Sequence, residues 1–159
     1  MKPARITDIK NELKYLSENE LIEVCLTMAK YKKESKELLT YLLFEARDEE
    51  QYIKGVCEEI TLQFGEINFQ SWYYAKKSIR KILRFAKKQI RFSKQKPTEV
   101  EILMHFCVEM KSMPLSYTRS SVMHNLYDRQ VATIRKAIAT MHEDMQYDYL
   151  QELEMRVEN

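Results

Sequence analysis

Three times along this chain a helix-start signature stands directly before apolar residues at helical spacing. That punctuation constrains the fold more than any other feature. Ser17-Glu18-Asn19-Glu20 reads as a capping box, in which the serine accepts from the third backbone N–H and the glutamate reaches back. Leu21, Val24, Cys25 and Met28 follow at helical spacing. Asp48-Glu49-Glu50-Gln51 repeats the pattern before a stripe of Ile53, Val56, Cys57, Ile60, Phe64 and Ile67. Thr98-Glu99-Val100-Glu101 is the third signature. It predicts a helix from Glu99 to about Lys111 carrying Val100, Leu103, Met104, Phe106, Cys107 and Met110.

The intervening segments also read as helical. A short helix is predicted over Thr7 to Leu16. Another over Lys36 to Ala46 is apolar nearly all round, which predicts burial. Asn68 is the expected cap of a helix from about Phe69 to Ser93. Ser112-Met113-Pro114-Leu115-Ser116 is the strongest break in the chain. Beyond it, Val122, Leu126, Val131, Ile134, Ile138 and Met141 predict one long helix or two short ones. Met145, Tyr149, Leu150, Leu153 and Val157 predict a last one, after a turn at His142-Glu143-Asp144. Only two glycines and three prolines occur in 159 residues. That scarcity excludes a glycine-fingerprint nucleotide fold, a turn-rich β-sandwich and a flexible linker protein. No alternating strand pattern and no fixed repeat stands out. The expectation is an all-α single domain over residues 1–159. It holds seven or eight helices, in antiparallel hairpins packed as a bundle or a short irregular stack.

Two stretches carry a resemblance. Leu16-Ser17-Glu18-Asn19-Glu20-Leu21-Ile22-Glu23 followed by Tyr41-Leu42-Leu43-Phe44, and later Ala75-Lys76-Lys77-Ser78-Ile79, resemble a family of small, uncharacterised all-helical bacterial proteins. The pattern from Leu126 to Leu153 is similar too. The resemblance covers about half the chain. It implies an all-α fold and bacterial origin, and it transfers no activity and no functional residue.

Charge is distributed unevenly. No acidic residue lies between Glu66 and Glu99, while ten basic residues do, leaving sixteen basic and twenty-four acidic residues elsewhere. At about 100° per residue, Trp72, Ala75, Ile79, Ile82, Leu83, Ala86 and Ile90 share the sector expected to be buried. Lys77, Arg80, Lys81, Arg84, Lys87, Lys88 and Arg91 share a second, expected in water. Tyr74, Phe85 and Phe92 form an aromatic strip between them. Such a face can meet acidic segments of its own chain or of another copy, here Glu45, Asp48, Glu49 and Glu50, or Glu143, Asp144, Asp148, Glu152 and Glu154. It can meet a phosphate backbone, with the aromatic rings stacking on bases. It can also be a solvated surface. A membrane-surface role ranks last, because the core claims the apolar side.

Catalytic signals are absent from the pattern. His105, His124 and His142 stand alone, without a His-Glu-x-x-His or a cysteine pair, so neither a metal nor a cofactor is expected. His124 and Asp128, one turn apart, are placed to hydrogen-bond; His105 has no evident partner. Ser116, Thr118, Arg119 and Ser120, at a helix start, make a weak anion-site candidate, against the plainer reading of a cap and a solvated loop. Cys25, Cys57 and Cys107, odd in number and far apart, read as three reduced, buried thiols. Met28, Met104, Met110, Met123 and Met141 read as core filler. No 18-residue apolar run and no secretory leader are present, so a cytoplasmic chain without membrane contact is expected. The expected function is non-enzymatic: protein interaction or scaffolding, including self-association. The alternative is nucleic-acid binding through the basic helix 76–96.

Overall fold

A computed structural model describes residues 1–159 as eight α-helices without a strand. The chain divides into two compact units, Met1–Phe44 and Glu45–Asn159.

The N-terminal unit holds α1 (Ile6–Leu13), α2 (Glu18–Tyr31) and α3 (Lys33–Thr40). The Ser17 capping box forms with both arms: Ser17 Oγ accepts from Glu20 N–H at 3.2 Å, and Glu20 accepts from Ser17 N–H at 2.7 Å. These bonds hold the Glu20 carboxyl below its ordinary value. Lys32 alone separates α2 from α3, and the two helices lie against each other. No residue of α1, α2 or α3 is buried. A π-helical turn, Tyr41–Glu45, follows α3. Burial expected across 36–46 reaches Tyr41 alone; Leu42, Leu43 and Phe44 are exposed. The apolar run is real, but a unit of this size has too little chain to enclose it. Met28 and Cys25 are likewise exposed rather than buried.

The C-terminal unit contains α4 (Glu49–Gly65), α5 (Trp72–Ser93), α6 (Lys96–Ser112), α7 (Ser121–Ile138) and α8 (Glu143–Leu153). A π-helical turn, Glu154–Glu158, ends it. Helix α6 is the axis of this unit, touching α4, α5, α7 and the Glu154–Glu158 turn. Val100, Ile102, Leu103, Met104, Phe106, Cys107 and Met110 are buried around its circumference. Each large side chain sealed in this way contributes roughly 1.5–3 kcal/mol. Phe106 meets Phe64 of α4 edge-on, with centroids 5.6 Å apart. Leu153 and Val157 close the far side. Tyr127 Oη and Lys111 Nζ both donate to the Val157 carbonyl, at 2.7 and 3.2 Å. Burial pushes the Cys107 thiol up to about 12 and the half-buried Cys57 thiol up to about 11. Of the five methionines read as filler, Met104, Met110 and Met123 are core residues.

Two caps differ from the pattern. Ser71, not Asn68, caps α5, accepting from Tyr73 N–H at 3.2 Å, and Asn68 instead accepts from Gln70 N–H. Thr98 does not cap α6, which begins earlier with Pro97 in its first turn. The buried Thr98 hydroxyl donates to Glu49 Oε1 at 2.6 Å, and Ser93 Oγ bonds the same carboxylate. The start of α4 is thereby tied to the junction of α5 and α6. That junction is two residues long and turns through Lys94 in the left-handed region, φ 60°.

Candidate functional site

The amphipathic split of α5 follows the wheel. Ala75, Ile79, Ile82, Leu83 and Ala86 are buried, with Trp72 and Ile90 half-buried at its ends. Lys77, Arg80, Lys81, Arg84, Lys87 and Arg91 are exposed, and Lys88 is half-buried. None of those six exposed cations is in an ion pair. Of the nine acidic residues offered as their partners, Asp48, Glu49 and Glu152 are engaged elsewhere. Asp48 caps α4 by accepting from Gln51 N–H at 3.1 Å, Glu49 serves Ser93 and Thr98, and Glu152 pairs with Arg156.

Both α5 and α7 lie against α6, and a groove of about 520 Å³ opens between them. Arg80 and Lys87 border it from α5, two turns or about 10 Å apart along the axis. Arg129 and Lys136 border it from α7 at the same spacing. Leu83, Leu126 and Gln130 also line it. Its ten lining residues contain four cations and no carboxylate. Gln130 is buried; its Nε2 donates to the Leu126 carbonyl at 2.8 Å, and its Oε1 has no partner. The groove wall therefore contains an uncompensated acceptor beside fixed positive charge. Arg135, which does not line the groove, is neutralised by Glu158, with Nε to Oε1 at 2.9 Å.

Arg80 also lines a second, smaller hollow of about 360 Å³ with Tyr73, Lys76 and Lys77. The cationic surface is thus continuous along the first half of α5. Tyr73 and Tyr74 are both exposed and meet edge-on at 5.3 Å, and Lys76 Nζ stands 5.9 Å from the Trp72 ring centroid. Phe85 and Phe92 are half-buried and line none of these hollows. Lys81 faces the other way, into a hollow beside α4 that also holds Glu59 and Glu66. Of the seven cations expected to act together, the structure brings Arg80 and Lys87 into the groove and Lys77 beside it. Lys81, Arg84, Lys88 and Arg91 lie outside.

Sequence reasoning missed the α7 half. Val122, Leu126, Arg129, Thr133 and Lys136 recur at i, i+4, i+7, i+11 and i+14, a single helical stripe with cations at two of its positions. That stripe was the available signal. It is fainter than the α5 signal because α7 holds only three basic residues, with Asp128 among them.

The remaining candidates are occupied locally. Ser120 caps α7, accepting from Met123 N–H at 3.4 Å, and Ser116 and Thr118 hydroxyls bond each other at 2.7 Å. Arg119 closes a short 3-10 turn, Tyr117–Arg119. The His124–Asp128 pair forms at 3.2 Å on the exposed side of α7, and the Tyr117 ring stacks on both His124 and Tyr127. His105, without an evident partner in the pattern, has Thr61 Oγ1 at 2.8 Å and Glu109 Oε1 at 3.5 Å. No group of three or more His, Cys, Asp or Glu side chains is arranged to hold a metal ion. No helix is long and apolar enough to cross a membrane. Comparison with protein-family models, with curated proteins and with solved structures returns no match.

Proposed function

We propose that the C-terminal unit binds nucleic acid, laying a phosphate-bearing strand along the groove between α5 and α7. One observation carries this reading: Arg80, Lys87, Arg129 and Lys136 converge on one concavity that holds no carboxylate, and none of them is ion-paired. Free cations facing each other across a groove are held there against mutual repulsion, and a polyanion relieves it. The exposed Tyr73 and Tyr74 rings beside the adjoining hollow offer stacking surfaces for unpaired bases, which favours a single strand. The protein acts by binding, without catalysis, and a cytoplasmic setting fits three unpaired cysteines. Its other expected role, protein interaction, has a separate basis in the exposed apolar residues of the N-terminal unit.

Titration of a labelled single-stranded oligonucleotide by fluorescence anisotropy tests the proposal. Four phosphate contacts predict a slope of log K against log salt of about −3. Reversing Arg80 and Arg129 together to Glu is expected to weaken binding more than tenfold and to flatten that slope. Lys81→Glu, in the opposite hollow, is expected to do far less. Absence of binding at low salt, or equal effects of the two sets of changes, would refute the assignment.

A further inference from the structure

We infer that the hollow adjoining the groove is a phosphomonoester pocket that takes the phosphorylated end of the bound strand; the inference rests on the strand-binding reading and deepens it. Four residues line this hollow, Tyr73, Lys76, Lys77 and Arg80, and all four belong to α5. They stand at i, i+3, i+4 and i+7, which gathers them into one patch on one helical face, with neighbouring Cβ atoms about 5–6 Å apart. Three of the four are cations, and none of the three is in an ion pair. Helix α5 has no acid of its own to offer them, since none lies between Glu66 and Glu99. Lys76 is half-buried, with its ammonium 5.9 Å from the Trp72 ring centroid, a contact that restrains the side chain without neutralising it.

Charge density selects the ligand. On each wall of the groove the cations are two turns apart, a spacing at which successive phosphodiesters meet them one at a time. In the hollow, Lys76, Lys77 and Arg80 share little more than one turn. A phosphodiester brings a single negative charge, whereas a phosphomonoester brings close to two, with three acceptor oxygens. Crowded cations repel one another, and the more highly charged group offsets that repulsion better. Arg80 supplies a planar fork for two of the oxygens, and the lysines supply point charges. Position agrees with charge. Arg80 lines both concavities, so the hollow continues the groove, yet no α7 residue lines it. A strand leaving the groove past Arg80 therefore loses its second wall where the cations are densest. The Tyr73 ring, 71% exposed, stands there for the last base to stack on.

Anisotropy titrations with one internally labelled single strand, ending in a 5′-hydroxyl, a 5′-phosphate or a 3′-phosphate, test the pocket. One phosphorylated end is expected to bind about tenfold more tightly than the hydroxyl-ended strand, and which end gains tells the two sources apart. A hydroxyl-ended strand lengthened by one nucleotide, which adds one diester charge, should gain far less. Lys76→Gln with Lys77→Gln should erase the gain while leaving the hydroxyl-ended strand within about threefold of its wild-type affinity. Lys81→Gln with Arg84→Gln removes the same charge from α5 outside this hollow and the groove, and should keep the gain. Equal binding of the three ends, a gain matched by the added nucleotide, or a gain that survives the Lys76 and Lys77 changes would overturn the inference. If no hydroxyl-ended strand binds at low salt, the groove fails and the hollow is read by itself. Thymidine 5′- and 3′-monophosphates, compared with thymidine by NMR, should then shift the Tyr73 and Lys77 amides in the wild-type chain only; absence of such shifts would overturn the pocket as well.

Discussion

His105 shows how much one side chain's surroundings decide. Thr61 has a single hydroxyl hydrogen; it donates to Glu109 Oε1 at 2.7 Å while its oxygen stands 2.8 Å from His105 Nε2. Burial holds the His105 imidazole below its ordinary 6.5, with Arg156 acting in the same direction; Glu109 and a backbone hydrogen bond to Cys57 oppose them. The unfolded chain therefore takes up this proton at higher pH than the folded one. The associated stability is complete above about 6.5 and is lost as pH falls through the folded value. Urea midpoints on either side of the ordinary histidine range should show the C-terminal unit weakening toward acid, and His105→Gln should flatten that dependence.

At the scale of elements, the junction where α4, α5 and α6 meet is held by one carboxylate serving two hydroxyls. Thr98→Val keeps the shape of a fully buried residue and deletes its bond to Glu49, so a loss of about 2 kcal/mol is expected by urea denaturation. This junction also marks the boundary of what the sequence makes legible. Caps that act within one turn, Ser17 with Glu20 and Asp48 with Gln51, are readable because both partners are neighbours. Thr98 has the same local signature, but its partner lies 49 residues away, and a tertiary bond displaced the local one. The same limit applies to burial. Periodicity finds the inward face of α5, where α6 and α4 supply the cover, and misjudges Leu42, Leu43 and Phe44, where little covers them. Half of the candidate groove is readable from one charged helix. The other half depends on which helix folds alongside it.

Across the whole molecule, the groove and its four cations belong to the C-terminal unit alone. Sorting of charge within the C-terminal unit has a further consequence. Residues 45–159 hold eighteen basic and seventeen acidic side chains, so the unit is nearly neutral in sum. Its cations gather on α5 and the adjoining stripe of α7, while Glu58 and Glu59 stand on α4 and Glu66 caps its C-terminal end. A neutral body arranged in this way carries a large permanent dipole. Approaching polyanions exert a torque on it before any atom touches, turning the groove forward, so encounter would be fast in dilute buffer and would slow as salt shortens the reach of that field.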